Sequence, residues 1–162
     1  MPDKIRLLIV DDEVKFLDSI AKRLELRDFA VTKATNGQQA LDIAGKEKFD
    51  LVLLDLKMPG LNGKQVLETL KKEHKFLEVI ILTGHGSLDS AVECTRLGAF
   101  DYLPKPYELE NLLEKLQKAY ETRLQKKFEA DQERLEKIGK LATGHSALSI
   151  LRELRKLDDE EK

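Results

Sequence analysis

Short hydrophobic runs alternate with amphipathic stretches from residue 6 to residue 103. Arg6–Val10 (RLLIV), Asp50–Leu56 (DLVLLDL) and Glu78–Thr83 (EVIILT) have strand length and little alternation, the pattern of strands covered on both faces. Phe29–Thr35 (FAVTKAT) and Phe100–Leu103 read as weaker strands. Val14–Arg27 places Phe16, Leu17, Ile20, Ala21 and Leu24 at helical spacing. Gln38–Lys46, Lys64–His74 and Ser87–Leu97 read as further helices, the last closed by Gly98. Asn36-Gly37, the loop Lys57–Gly63, the Gly84/Gly86 loop and Pro104-Lys105-Pro106 supply the breaks. Five strands alternating with helices predict an α/β fold, a parallel sheet with helices on both faces.

From Glu108 the pattern changes. Leu109, Leu112, Leu113, Leu116, Tyr120, Leu124, Phe128, Leu135 and Ile138 recur at three-, four- and seven-residue spacing among mixed charges. This predicts one long helix whose second half has no sheet left to cover. Thr143-Gly144-His145-Ser146 reads as a break with Ser146 as N-cap. Leu148, Ile150, Leu151, Leu154 and Leu157 mark a short second helix.

Composition adds exclusions. Hydrophobic residues make up 41% of the 162 positions, enough for a core, and charged residues 36%, which suits long solvated helix faces. The formal net charge of −2 gives no global attraction to nucleic acid. The single cysteine, Cys94, excludes an intramolecular disulfide. The longest apolar runs, Leu7–Val10, Leu51–Leu54 and Val79–Leu82, fall far short of the roughly 20 residues of a membrane helix. No apolar signal region follows Met1-Pro2-Asp3-Lys4. The expectation is a cytoplasmic protein that engages neither membrane nor DNA.

In an open parallel sheet, ligands bind beyond the carboxyl ends of the strands. The strand ends deliver Asp11 and Asp12, Asp55, Thr83 and Lys105. Crowded carboxylates repel one another, and a hard cation such as Mg²⁺ relieves this while leaving positions for phosphate. A carboxylate beside such an ion can attack phosphorus to form an acyl phosphate. An ammonium and a hydroxyl would stabilise the charge on the transferred group. Singly, each residue has a plainer role: Asp12 or Glu13 could cap the first helix, and Asp55 could serve the Met-Pro-Gly turn. The full set at one sheet edge points to phosphoryl chemistry.

At these residues the sequence resembles the receiver domains of response regulators, the CheY-like family. The matching stretches are LLIVDDE at 7–13, DLVLLDLKMPGLNG at 50–63, VIILTGHG at 79–86 and GAFDYLPKP at 98–106. The wording from Thr83 to Pro106 is most similar to receivers of nitrogen-regulator-type activators. The resemblance implies a flavodoxin-like sheet of order 2-1-3-4-5. It implies a receiver over residues 1–121, with residues 122–162 as a helical tail. It assigns Asp55 as phosphoacceptor. Mg²⁺ would be held by Asp11, Asp12, Asp55 and the backbone carbonyl of Lys57. Thr83 and Lys105 would bind the phosphoryl group, Tyr102 would be an aromatic switch, and Lys57 and His85 would tune the lifetime of the acyl phosphate. The Lys105–Pro106 bond would be cis. The partner implied is a sensor histidine kinase or phosphotransfer protein, and the output face spans residues 88–120. Such a protein is no enzyme beyond catalysing its own phosphorylation and dephosphorylation.

The tail carries ten basic and nine acidic side chains over residues 122–162 and has no phosphate-binding glycine loop. Three readings compete. A coiled coil would dimerise the chain through Tyr120, Leu124, Phe128, Leu135 and Ile138, with Asp131 breaking the seam. A helical hairpin would fold back at Gly144. A histidine-kinase remnant would make His145 a second phosphoacceptor. A homodimer through the tail or the 88–120 face is the expectation. Alternatives for the chain are a pseudo-receiver scaffold, or the receiver fragment of a larger transcription activator or hybrid kinase. A haloacid-dehalogenase-type phosphatase would need a second acid where Lys57 stands. A dinucleotide-binding module would need a third glycine after Gly84 and Gly86.

Overall fold

The computed structural model describes residues 4–84, 88–142, 151–152 and 155–156. The strands are β1 (Ile5–Val10), β2 (Phe29–Ala34), β3 (Leu51–Leu54), β4 (Glu78–Thr83) and β5 (Asp101–Pro104). They form one sheet in the order β2-β1-β3-β4-β5, parallel throughout. The helices are α1 (Val14–Glu25), α2 (Gly37–Lys46), α3 (Gly63–Glu73), α4 (Leu88–Arg96) and α5 (Leu109–Ala142). The expected fold class and strand order are those observed.

Strand alternation divides the core in two. Leu8, Val10, Val52, Leu54, Val79 and Ile81 pack against Ala40 and Ala44 of α2, Val66, Leu67 and Leu70 of α3 and Cys94 of α4. Their neighbours Leu7, Ile9, Leu51, Leu53, Ile80 and Leu82 pack against Leu17, Ile20 and Leu24 of α1 and Leu112, Leu116 and Ala119 of α5. The central strands are therefore buried on both faces, as their unbroken apolar runs require.

Two boundaries differ from expectation in an instructive way. β3 is four residues long, because Leu56 leaves the ladder and its carbonyl accepts instead from Gly63 N–H at 2.8 Å. That bond closes the loop after Asp55 onto the start of α3. Asn62 and Gln65 then form a reciprocal capping box on α3. Neither Asp12 nor Glu13 caps α1 through its side chain: Glu13 is the N-cap residue and makes no side-chain cap bond.

α5 is a single helix of 34 residues, about 50 Å long at 1.5 Å per residue. Its first three turns are tied down by Leu112, Leu116 and Ala119, each fully buried. Polar contacts take over past residue 121. Arg123 donates through Nε to Asp50 at 3.0 Å and through Nη1 to the Phe76 carbonyl at 2.8 Å. Lys126 pairs at 2.9 Å with Glu78, a buried carboxylate at the start of β4. Beyond these contacts Phe128 and Leu135 are 59% and 62% exposed. The expected break at Thr143–Ser146, with His145, lies outside the described residues. Of the expected second helix, Leu151, Arg152, Arg155 and Lys156 are described, and they are helical.

Candidate functional site

The carboxyl ends of β1, β3, β4 and β5 converge on one pocket. Asp11 follows β1 and is 2% exposed, while Asp12, its neighbour, faces solvent. Asp55 follows β3 and is also 2% exposed. The three aspartates can bring one oxygen each to within 4.8 Å of one another. Thr83, the last residue of β4, is buried, and its hydroxyl donates to Asp55 Oδ1 at 2.5 Å. Lys105 follows β5 and reaches across the sheet edge. Its Nζ lies 2.6 Å from Asp11 Oδ2, 3.5 Å from Glu13 Oε1 and 4.0 Å from Asp55 Oδ2.

The electrostatics are those of a site short of positive charge. Burial pushes the Asp11 carboxyl above its ordinary value; the hydrogen bonds from Lys105 and from Glu13 N–H offset this only in part, and Asp55 adds to it. Burial pulls the Lys105 ammonium down, but the bond to Asp11 and the charges of Asp11, Asp55 and Glu13 outweigh it, so its pKa rises. One lysine thus faces three carboxylates, those of Asp11, Glu13 and Asp55. Oxygen-only donors in a half-open pocket suit a hard divalent cation. The donor set fits Mg²⁺, with Asp11, Asp12 and Asp55 as its side-chain donors.

Other expected site residues fall around this centre. The Lys57 side chain is exposed, and its backbone N–H points to Asp55 Oδ1 at a long 3.4 Å. Tyr102 is half-buried on β5 and packs on the core face that holds Cys94. Burial raises its phenol, with the charges of Cys94 and Asp55 adding. The Lys105–Pro106 bond is cis. His85 lies outside the described residues.

The family profile for the response regulator receiver domain matches residues 7–117. The chain belongs to that family. Receivers are the signalling modules of two-component systems rather than enzymes in the ordinary sense. This receiver is 39% identical over 117 residues to the transcriptional regulatory protein YkoG of Bacillus subtilis, spanning 72% of this chain but 51% of that one. It is 36% identical over 113 residues to sporulation initiation phosphotransferase F of the same organism, covering 70% of this chain and 91% of that protein. Among solved structures, NtrX from Brucella abortus superposes with a TM-score of 0.75 at 32% identity, over 80% of this chain and 30% of that one. The chain therefore spans about half the length of one relative, a third of another and nearly all of a third. No helix among the described residues is long and apolar enough to cross a membrane.

Two contributors to the receiver's pocket were not singled out by sequence. Phe16 presents its ring to the Lys105 ammonium at 4.0 Å and is itself braced edge-on by Tyr107 at 5.9 Å. Glu13 supplies the third carboxylate around Lys105. Phe16 looks like one more apolar position on α1, and the only available hint is its place one turn after the acidic cluster.

Proposed function

We propose that the chain is a phosphorylation-switched receiver in which Asp55 accepts a phosphoryl group from a sensor histidine kinase or a phosphotransfer protein. The observation that carries this reading is the set of partners converging on one buried carboxylate: Thr83 on one oxygen of Asp55 and Lys105 near the other. A carboxylate placed for capping or turn chemistry would need neither. An oxygen of Asp55 attacks the phosphorus of a phosphohistidine; the P–O bond forms as the P–N bond breaks, and the imidazole leaves with the bonding pair. The product is an acyl phosphate. Mg²⁺, held by Asp11, Asp12, Asp55 and the Lys57 carbonyl, supplies charge neutralisation for the transferred group when bound. The Thr83 hydroxyl and the Lys105 ammonium pair with the phosphoryl oxygens. Movement of Thr83 toward the phosphoryl group frees space for Tyr102 and shifts an existing equilibrium of the 88–120 face. Lys57 and His85, each two residues past Asp55 and Thr83 in the sequence, set the lifetime of the acyl phosphate. The same chemistry run by water makes the receiver the catalyst of its own dephosphorylation.

The receiver comprises residues 1–121, and 122–162 is its helical tail. The exposed residues Leu124, Phe128 and Leu135 favour a homodimer through the tail. The reading places the protein in the cytoplasm with its kinase. Acetyl phosphate with Mg²⁺ should add one phosphoryl group, read by intact mass, and Asp55→Asn or EDTA should abolish it. Equal labelling of Asp55→Asn would overturn the assignment. Absence of both labelling and Mg²⁺ binding would instead favour a pseudo-receiver scaffold. Light scattering before and after beryllofluoride reports whether the switch controls assembly, and unchanged dephosphorylation in Lys57→Ala would remove the rate-tuning role.

A further inference from the structure

The Lys105 ammonium sits at the end of a flexible side chain, and holding such a chain in one geometry costs conformational entropy. Its carboxylate neighbours do not fix it in one place. Asp11 lies at 2.6 Å and Asp55 at 4.0 Å, both buried, while Glu13 lies at 3.5 Å with its side chain 60% exposed. Glu13 thus offers the ammonium a partner at the solvent edge. Yet the Lys105 side chain is only 13% exposed. A surface that covers a cation this far must return what the lost water supplied. An aliphatic wall cannot do so. The face of an aromatic ring can, through its quadrupole, and Nζ lies over the Phe16 ring, 4.0 Å from its centroid.

Phe16 is itself held in place. It sits in the first turn of α1, half-buried against the core layer of α1 and α5. Tyr107 packs on the same layer and stands at 87° to Phe16 with ring centroids 5.9 Å apart, a favourable aromatic geometry. Tyr107 comes two residues after Lys105, so one short segment carries both the lysine and the brace of the ring beneath it. The three side chains form a closed set: Lys105 over Phe16, Phe16 against Tyr107, and Tyr107 joined to Lys105 through the chain. A ring attracts a cation anywhere within about 6 Å of its centroid. The ammonium therefore has room to move from Asp11 toward Asp55 Oδ2 without leaving the ring. Pairing with a group carried on Asp55 requires that movement.

We propose that Phe16, braced by Tyr107, is a positioning residue for phosphoryl transfer: its ring seats the Lys105 ammonium where it pairs with the phosphoryl group on Asp55. The inference rests on Asp55 as the phosphoacceptor. The test is a double-mutant cycle on the full chain, read by calorimetric titration with beryllofluoride and Mg²⁺. Phe16→Leu keeps apolar bulk and removes the ring; it should weaken binding about tenfold, the effect of a cation–π contact in a desolvated site. Phe16→Tyr keeps the ring and should bind within about twofold of the wild type. In a Lys105→Met background, Phe16→Leu should change the affinity by less than about twofold, because the ring then has no cation to seat. An equal loss with and without Lys105 makes Phe16 a packing residue and overturns the proposal, as does no loss in Phe16→Leu. Phe16→Met completes the same cycle if Phe16→Leu does not fold. A wild-type chain that binds no beryllofluoride removes the Asp55 reading instead, and ¹⁵N relaxation of the Lys105 ammonium in the free chain then decides the seat. Higher mobility in Phe16→Leu but not in Phe16→Tyr upholds the seat; equal mobility in all three chains overturns it.

Discussion

Gly63 tests whether the loop after Asp55 is held by close backbone contact. A Cβ added there would lie 2.4 Å from Leu56 Cα and 2.6 Å from the Asp55 carbonyl oxygen. Both neighbours are backbone, so no side chain can rotate away. The loop would have to move by about 1 Å to restore ordinary contact, and overpacking of this kind costs about 1–3 kcal/mol. The upper end applies because the displaced atoms carry the Gly63 N–H to Leu56 bond. At a urea slope of about 1.5 kcal/mol/M, Gly63→Ala should lower the unfolding midpoint by roughly 2 M. The displaced backbone belongs to Asp55, so beryllofluoride affinity should fall with it. Gly45 is the control. It lies in α2 with nothing within 4 Å of an added Cβ, so Gly45→Ala should gain about 0.5 kcal/mol from helix propensity alone. A Gly63→Ala loss below about 0.5 kcal/mol, with beryllofluoride affinity intact, would refute the argument.

Other outcomes follow from single contacts. Thr83→Ala removes the 2.5 Å bond to Asp55 and should weaken beryllofluoride binding about 10- to 100-fold, the range for a hydrogen bond to a charged group, without unfolding the sheet. Titration by fluorescence or calorimetry reads it. Arg123→Ala strips partners from Asp50 and the Phe76 carbonyl and should cost about 1–2 kcal/mol in urea unfolding, since both contacts are partly solvated. The Cys94 thiol is buried, and burial pushes its pKa above the ordinary 9.0, with Lys64 opposing and Glu93 adding. Native labelling by a thiol reagent should therefore be slow at pH 8, rise with pH, and approach the free-thiol rate only in denaturant.

The strand ends were the most legible part of the chain. Asp11, Asp12 and Asp55 follow, and Thr83 ends, unbroken apolar runs of strand length, Lys105 follows a weaker one, and parallel topology alone brings such positions to one edge. Finer points depended on distances that sequence does not encode. Nothing in the sequence ranks the burial of Asp11 and Asp12, yet one is buried and the other solvated, because successive residues leaving a strand point to opposite sides. The end of β3 hinged on the Leu56 carbonyl finding Gly63 rather than a ladder partner. The contact of Lys105 with Phe16 joins positions far apart in the chain, so no local pattern signals it. The unpaired Nε2 of His74 is equally invisible, since it is defined by what does not surround it.

Asp131 provides the sharpest test of the tail. Leu124, Phe128, Leu135 and Ile138 fall on the apolar positions of a heptad, and Asp131 occupies the position midway between Phe128 and Leu135. Leu124, Phe128 and Leu135 are 48%, 59% and 62% exposed, so one copy of α5 leaves this stripe largely in water. In a parallel, in-register pair two Asp131 carboxylates would approach each other on the seam, which weakens the pair. Replacing Asp131 by leucine removes that repulsion and buries two further side chains. At about 1.5 kcal/mol each, the low end for a leucine, Asp131→Leu should tighten self-association by about two orders of magnitude. Sedimentation equilibrium measures this directly, and Phe128→Glu should act in the opposite sense. If Asp131→Leu leaves the association constant where it was, residue 131 does not face a second helix. The exposed stripe would then have to be covered by something other than its own copy.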